Sequence, residues 1–345
     1  MKGLAASLQR CWRLAVGLGL LLALVLVVDP RALLRAAADA QPRWLALGLA
    51  CAVAANLVSA LRWWALARWL GADVAPGWAV ARYFGGVALN ALLPGAVVGG
   101  DVYRAHALVR CGLAWGTAGA SVLVDRLGGL WALVAMGLIG ASVGLAAADA
   151  SALLGLGLSP GGAAIAAVAL VSVAVLMMLG PVVRASAWGA DRARLLPRMT
   201  PVETEALGTE PAGRLRQLRR AARSVSALGS RPGARTQLVL QLGLSVVVQA
   251  GSIATLACAG AAVGLSLPAW AWVSAAVPVF VMATLPVSFG GWGSREAASI
   301  VALGLFGVPA TLALAVGLLY GLAALAQALP GALWLLAERR STGTR

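Results

Sequence analysis

Unbroken apolar runs separated by sparse charge constrain this chain more than any other feature. Stretches near 12–28, 44–61, 127–147, 152–180, 236–264 and 309–337 are rich in Leu, Ala, Val and Gly. Several reach or approach the ~20 residues that a helix needs to cross a ~30 Å hydrocarbon core. Strands of an outer-membrane barrel would alternate apolar and polar residues, and these runs do not. Only 11% of the residues are charged, against ~25% in a soluble domain, so the chain could not cover its apolar surface in water. The sequence predicts an all-α polytopic membrane protein, with 1–345 as a single transmembrane domain.

The net charge of +15 comes from 27 basic residues, all arginine except Lys2, against 12 acids. Because the bases lie mostly between apolar runs, they fit topology determinants and anionic headgroups rather than nucleic acid. With the N-terminus inside, segments 1–13, 62–111, 181–235 and 338–345 hold 22 of the 27, and segments 29–43, 148–151 and 265–268 hold 3. That asymmetry predicts a multi-pass protein of a bacterial-type inner (plasma) membrane with both termini cytoplasmic. The first run follows a basic start, as in a signal peptide. It is followed by Asp29-Pro30-Arg31 rather than a small-residue cleavage site, so it reads as a retained span.

Residues 181–235 form a cytoplasmic basic insert. Within 213–228, Leu215, Leu218, Ala222, Val225 and Leu228 recur at helical spacing among Arg214, Arg216, Arg219, Arg220 and Arg223. This predicts an amphipathic helix on the anionic leaflet; the alternative is a disordered basic loop that only sets topology. Cys11, Cys51, Cys111 and Cys258 are far apart and form no metal-ligand pair, and His106 is the only histidine. Neither a metal site, a cofactor nor a catalytic set is expected.

Two regions, 78–124 and 269–308, are apolar but interrupted by glycine, proline and charge. They echo each other. The first carries Leu93-Pro94, then Gly99-Gly100-Asp101; the second carries Leu285-Pro286, then Gly290-Gly291 and Arg295-Glu296. About three full spans accompany each interrupted region, and an odd number of crossings turns the second copy upside down. The expected architecture is two inverted repeats, 1–147 and 152–337, each with one Gly/Pro-broken re-entrant segment.

Asp101, Asp125 and Glu296 fall within or against apolar stretches, beside Arg104, Arg126 and Arg295. A charge at membrane depth costs ~2.5–3.5 kcal/mol on insertion scales, so such residues face a cavity and pair. Adjacent Arg295 and Glu296 project about 100° apart on a helix, which predicts a separate partner for each. Pro94 and Pro286 interrupt helix. Gly99, Gly100, Gly290, Gly291 and Gly293 permit irregular backbone, whose N–H groups beside arginines would cradle a phosphate. Asn90, one turn before Pro94, could satisfy some of those groups. Blander readings stand beside these: a structural Asp125–Arg126 pair, snorkelling Arg104 and Arg110, glycines that only allow close helix contact. Trp44, Trp63, Trp64, Trp69 and Trp78 read as an interfacial belt.

Three ordered motifs carry a family resemblance. They are Asn90-x-x-x-Pro94-Gly95…Gly99-Gly100-Asp101-x-x-Arg104, then Ser121-Val122-x-x-Asp125-Arg126-Leu127, then Pro286-x-Ser288-x-Gly290-Gly291-x-Gly293-x-Arg295-Glu296. Together they resemble the flippase-like transmembrane domain of lysylphosphatidylglycerol synthases, over essentially the whole chain. The resemblance implies a helical membrane bundle with a proposed role in moving lipids between leaflets. The full synthases add a soluble domain that transfers an aminoacyl group from transfer RNA; here the last apolar run ends close to Arg345, so no lysyl transfer is expected.

The leading expectation is a flippase or lipid-linked-sugar translocator, holding an anionic headgroup between the two broken segments. Its substrate-binding set would be Asn90, Pro94, Gly99, Gly100, Asp101, Arg104, Asp125, Arg126, Pro286, Ser288, Gly290, Gly291, Gly293, Arg295 and Glu296. The partners are an anionic lipid or lipid-linked substrate and the bilayer, and nothing in the sequence opposes a homo-oligomer. Two rivals are an intramembrane enzyme acting on a lipid phosphate, with Asp101 or Glu296 as base, and a non-catalytic partner of a biosynthetic complex anchored through 213–228.

Overall fold

The structure, a computed structural model, describes residues 19–92, 99–147, 228–229, 231–284 and 289–342, all helix, turn or connection with no strand among them. A helical run over 19–27 is followed by α1 (Pro30–Ala38), α2 (Pro42–Trp69), α3 (Pro76–Leu92), α4 (Gly99–Arg110) and α5 (Trp115–Ala147). The second half contains α6 (Ala234–Ala262), α7 (Ala269–Thr284), a 3-10 turn over Phe289–Gly291, α8 (Ser294–Gly304), α9 (Ala310–Ala326) and α10 (Leu329–Thr342). Proline at the first helical position starts α1, α2 and α3, where its missing N–H costs nothing and its fixed φ suits the helix.

Among the described residues, four segments are long and apolar enough to cross a membrane: Pro42–Trp69, Trp115–Gly144, Ala234–Ala262 and Ala310–Glu338. The chain is a multi-pass membrane protein. Two of these spans fall in each half. Of the remaining expected spans, 12–28 is described only from residue 19, and 152–180 lies outside the described residues, as does the proposed amphipathic helix apart from Leu228. The run expected over 44–61 extends to Trp69, and the one expected over 127–147 begins at Trp115. Both extensions carry charged residues into helix that the hydropathy pattern had ended. The run at 309–337 instead breaks at Gln327–Ala328, because Pro330 in the first turn of α10 has no N–H to continue the helical ladder.

α2 runs antiparallel to both α5 and α6. Arg62 and Trp63 meet Asp125 and Ser121 on α5; Gly48 and Arg62 meet Thr255 and Ser245 on α6. α5 and α6 are therefore parallel. Their N-terminal ends lie with the C-terminal end of α2. There Leu228 packs with Trp63, Leu66 and Leu70, and the Trp69 indole N–H donates to Pro232 O at 2.9 Å.

Two helical hairpins interrupt this framework. In the first, Arg82 and Gly85 of α3 lie against Tyr103, and Asn90 lies against Gly100, so α4 runs back along α3. Twelve residues of α4 rise only ~18 Å, well short of a membrane core. In the second, α8 returns against α7, with the Ser294 hydroxyl donating to Met282 O at 3.2 Å. The turn of the second hairpin comes close to the first: a Cβ on Gly290 would stand 4.0 Å from the Ala91 carbonyl oxygen.

Candidate functional site

Asp125 is the centre of the first buried charge cluster. It stands ten residues inside the Trp115 end of α5, ~15 Å along the helix axis. Its Oδ1 accepts from Arg62 Nη2 at 2.7 Å and Nε at 3.1 Å, and its Oδ2 accepts from Arg104 Nη1 at 2.9 Å. Arg104 reaches on to Asp101 at 2.9 Å, and Asp101 receives Arg126 in turn, with Nη2 to Oδ1 and Nε to Oδ2 both 3.0 Å. The five side chains form a continuous chain, Arg62–Asp125–Arg104–Asp101–Arg126, with one more positive charge than negative. Arg62, Arg104 and Asp125 are each 3% exposed, whereas the Arg126 side chain is 42% exposed.

Arg62 carries no hydropathy signal, because the apolar run ends at residue 61. By composition, the Arg-Trp-Trp that follows reads as a loop flank with belt tryptophans. Its signal was a basic residue within a turn of an apolar run and in phase with Ser59. Trp63 is not a belt residue: it is fully buried, stacked on Trp78 at 6.1 Å, with the Arg104 guanidinium 5.5 Å from its ring centre. Tyr83 flanks the same guanidinium at 4.7 Å.

The expected Asp125–Arg126 pairing does not form. Neighbours on one helix diverge by about 100°, so Asp125 turns toward α2 and α4 while Arg126 turns to Asp101. Asn90 does what its position suggested: its Oδ1 accepts the Gly100 N–H at 2.8 Å, which occupies a donor otherwise free for a ligand. Gly100 is helical, and a Cβ there would stand 2.1 Å from Gly86 O. Its requirement for glycine is therefore close helix contact. Pro94 lies outside the described residues, and Gly99 opens α4.

A family model for the lysylphosphatidylglycerol synthase transmembrane region matches residues 11–331. The chain belongs to this family. Comparison with curated proteins returned no match.

In this lysylphosphatidylglycerol synthase transmembrane-family chain, the second cluster is neutral and closed. Gly290, Gly291 and Gly293 all take positive φ, at 57°, 77° and 86°, conformations that a side chain rarely adopts. They turn the chain into α8 so that Glu296 occupies its third position. The Glu296 carboxylate reaches back to accept the Gly293 N–H at 2.6 Å, the reciprocal half of a capping box, with its negative charge on the helix N-terminus. The other oxygen accepts from Arg295 Nε at 3.0 Å and from its Nη2. Separate partners for Arg295 and Glu296 were expected; instead they pair with each other. The long arginine side chain folds around the helix start, and the capping position turns Glu296 toward it.

The Arg295 guanidinium lies 4.7 Å from the Trp292 ring centre and 5.9 Å from Tyr320, seated against Gly321 of α9. Arg295 is 3% exposed and Glu296 is fully buried. Pro286 and Ser288 lie outside the described residues. The site residues thus form two groups, one in each hairpin region, with the hairpins coming close at Ala91 and Gly290. Among the described residues, no group of three or more His, Cys, Asp or Glu side chains could hold a metal ion.

Proposed function

We propose that this protein carries the headgroup of an anionic lipid or lipid-linked sugar between leaflets of a bacterial-type inner membrane. The acyl tail remains in lipid while the head crosses along the hairpins. The observation that carries this reading is the excess positive charge of the Arg62–Asp125–Arg104–Asp101–Arg126 chain, which ends on the half-exposed Arg126. A monoanionic phosphate would neutralise that charge and satisfy guanidinium donors in bidentate geometry. Desolvation of the headgroup is the main barrier to its crossing, and a charged, hydrogen-bonding groove lowers it. In this reading the two hairpins are re-entrant elements of two inverted repeats, a plan in which binding sites lie near the midplane. Both termini are cytoplasmic.

The test is reconstitution of the full chain in liposomes with a fluorescent anionic phospholipid in both leaflets, read by the fraction that an impermeant quencher reaches. Protein-dependent exchange is the expected result. Exchange no faster than in protein-free liposomes, for every anionic lipid and lipid-linked sugar tried, would overturn the reading.

A further inference from the structure

At mid-height of the bundle, α2, α6 and the α9–α10 joint enclose a cavity of about 140 Å³. Asn56, Val248 and Ala324 line it, and each is the fifteenth residue of its candidate span. A cavity at that depth would ordinarily be apolar. This one is lined by Asn56, Ser59, Ser252, Thr255, Tyr320 and Gln327.

Some of these groups are occupied. Asn56 Nδ2 donates to Ala52 O at 3.2 Å and to Gln327 Oε1; Ser252 and Thr255 donate to backbone carbonyls of their own helix. Four functions have no partner among the described residues: Asn56 Oδ1, the Gln327 amide NH₂, and the hydroxyls of Ser59 and Tyr320. They combine donors and acceptors around one space. Unsatisfied polar groups at membrane depth are costly, so a ligand with both donors and acceptors is the natural complement. The cavity holds on the order of five waters at ~30 Å³ each, room for one small polyol.

Among the described residues no acidic side chain lines the cavity, so an ammonium group would find no counter-charge from them. None of the described arginines lines it either, although Arg295 stands 5.9 Å from the Tyr320 ring on one side. On the other, Arg62 follows Ser59 by one turn of α2. The two charge clusters therefore flank a neutral, hydrogen-bonding chamber.

We propose that this chamber receives the uncharged, hydroxyl-rich part of a lipid headgroup, a polyol or sugar, in preference to an aminoacyl or other ammonium-bearing headgroup. This deepens the lipid-carrying reading by naming the class of headgroup.

The test is native mass spectrometry of the full chain in detergent with three lipids of equal acyl chains: phosphatidylinositol, phosphatidylethanolamine and phosphatidic acid. All three carry phosphate, so the comparison isolates the polyol. Loss of two hydrogen bonds corresponds to roughly tenfold in affinity. Phosphatidylinositol should therefore bind roughly tenfold tighter than the other two, with the preference lost in Asn56→Leu. Ala324→Leu, which fills the chamber but keeps the Asn56–Gln327 bond, should also lose it, and this second variant guards against misfolding of the first. Equal binding of the three lipids, or a preference that survives in both variants, would overturn the proposal. Displacement by an equal concentration of free inositol would also overturn it, by making a soluble polyol the ligand. The two readings fail separately. Selective binding without exchange in liposomes removes translocation and leaves the chamber; exchange without selectivity does the reverse.

Discussion

Arg62 and Asp125 lie 63 positions apart and meet across α2 and α5 through three hydrogen bonds, two to the carboxylate and one to the Asp125 carbonyl at 3.1 Å. Arg62 also donates to the Ser245 hydroxyl on α6, and its own carbonyl accepts from Gln241 Nε2 at 3.0 Å. One residue therefore joins three spans. Removing one member of a buried pair leaves the other charged and unpaired, which costs ~3–5 kcal/mol. Asp125→Ala strands two arginines and should destabilise most, followed by Arg62→Ala. Fluorescence-detected thermal melting in detergent measures the order. Equal melting of wild type and Asp125→Ala would mean the cluster does not hold the helices together.

Close approach of α3 and α4 at Gly86 and Gly100 predicts a sharp contrast between glycines. Gly100→Ala places a methyl 2.1 Å from a carbonyl oxygen, whereas a Cβ at Gly243 meets nothing within 4 Å. Overpacking of this kind costs ~1–3 kcal/mol. Gly100→Ala should lower the melting temperature, and Gly243→Ala should leave it unchanged. A shift in Gly243→Ala equal to that in Gly100→Ala would contradict the hairpin packing.

The hairpin is also tied to the C-terminal helix. Arg82 makes two hydrogen bonds to Glu338, at 2.6 and 2.7 Å, with side chains 19% and 33% exposed. A double-mutant cycle with Arg82→Ala and Glu338→Ala should give a favourable coupling of roughly 1 kcal/mol, reduced by salt. A coupling near zero would make the pair incidental.

Much of this arrangement was legible in the sequence, and what was hidden has definite causes. Four of the apolar runs located spans because burial in lipid demands continuity. The paired Leu-Pro…Gly-Gly patterns located both helix interruptions. Hydropathy could not carry α2 past residue 61, since an arginine lowers the local average whether it faces a loop or a buried carboxylate. Arg62, one of the two partners of Asp125, is hidden for that reason. Proximity in sequence misled in the same way: Arg126 adjoins Asp125 but points away from it, while Arg295 and Glu296 adjoin and do meet because a helix start bends one toward the other. The mid-height polar chamber had no linear signature, since its polar side chains come two at a time from three distant segments.

The proposed orientation rests on the distribution of basic residues. Setting aside Arg62 and Arg104, which are buried ion-pair residues rather than loop charges, 20 arginine or lysine residues still fall in the segments assigned to the cytoplasm against 3 outside. In a cysteine-free background, Asp149→Cys should react with an impermeant thiol reagent added to intact cells, and Ser226→Cys only after lysis. The opposite pattern would invert the assignment.

Arg126 is the arginine on which transport should depend most selectively. The sequence drew attention to Arg295 instead, because it follows three glycines. The structure gives the two residues different circumstances. Arg295 is buried, paired with Glu296 and seated between two aromatic rings and Gly321, so Arg295→Ala strands a buried carboxylate and should destabilise the fold by ~3–5 kcal/mol. Arg126 has a 42% exposed side chain and, among the described residues, one ion-pair partner, Asp101, which keeps a second arginine when Arg126 is removed. A partly exposed pair contributes ~1 kcal/mol or less, so Arg126→Ala should melt close to wild type. It also removes the excess positive charge of the cluster, and with it the charge that a phosphate would meet. Lipid exchange should fall by roughly tenfold or more, the loss of a charge-assisted contact. Arg126→Lys should recover part of the rate, since it restores charge without the bidentate fork. Arg216→Ala, in the basic insert, serves as the control for general surface charge and should change the rate little. Normal exchange by a well-folded Arg126→Ala variant would remove this residue from the path of the headgroup, and full rescue by lysine would reduce its role to charge alone.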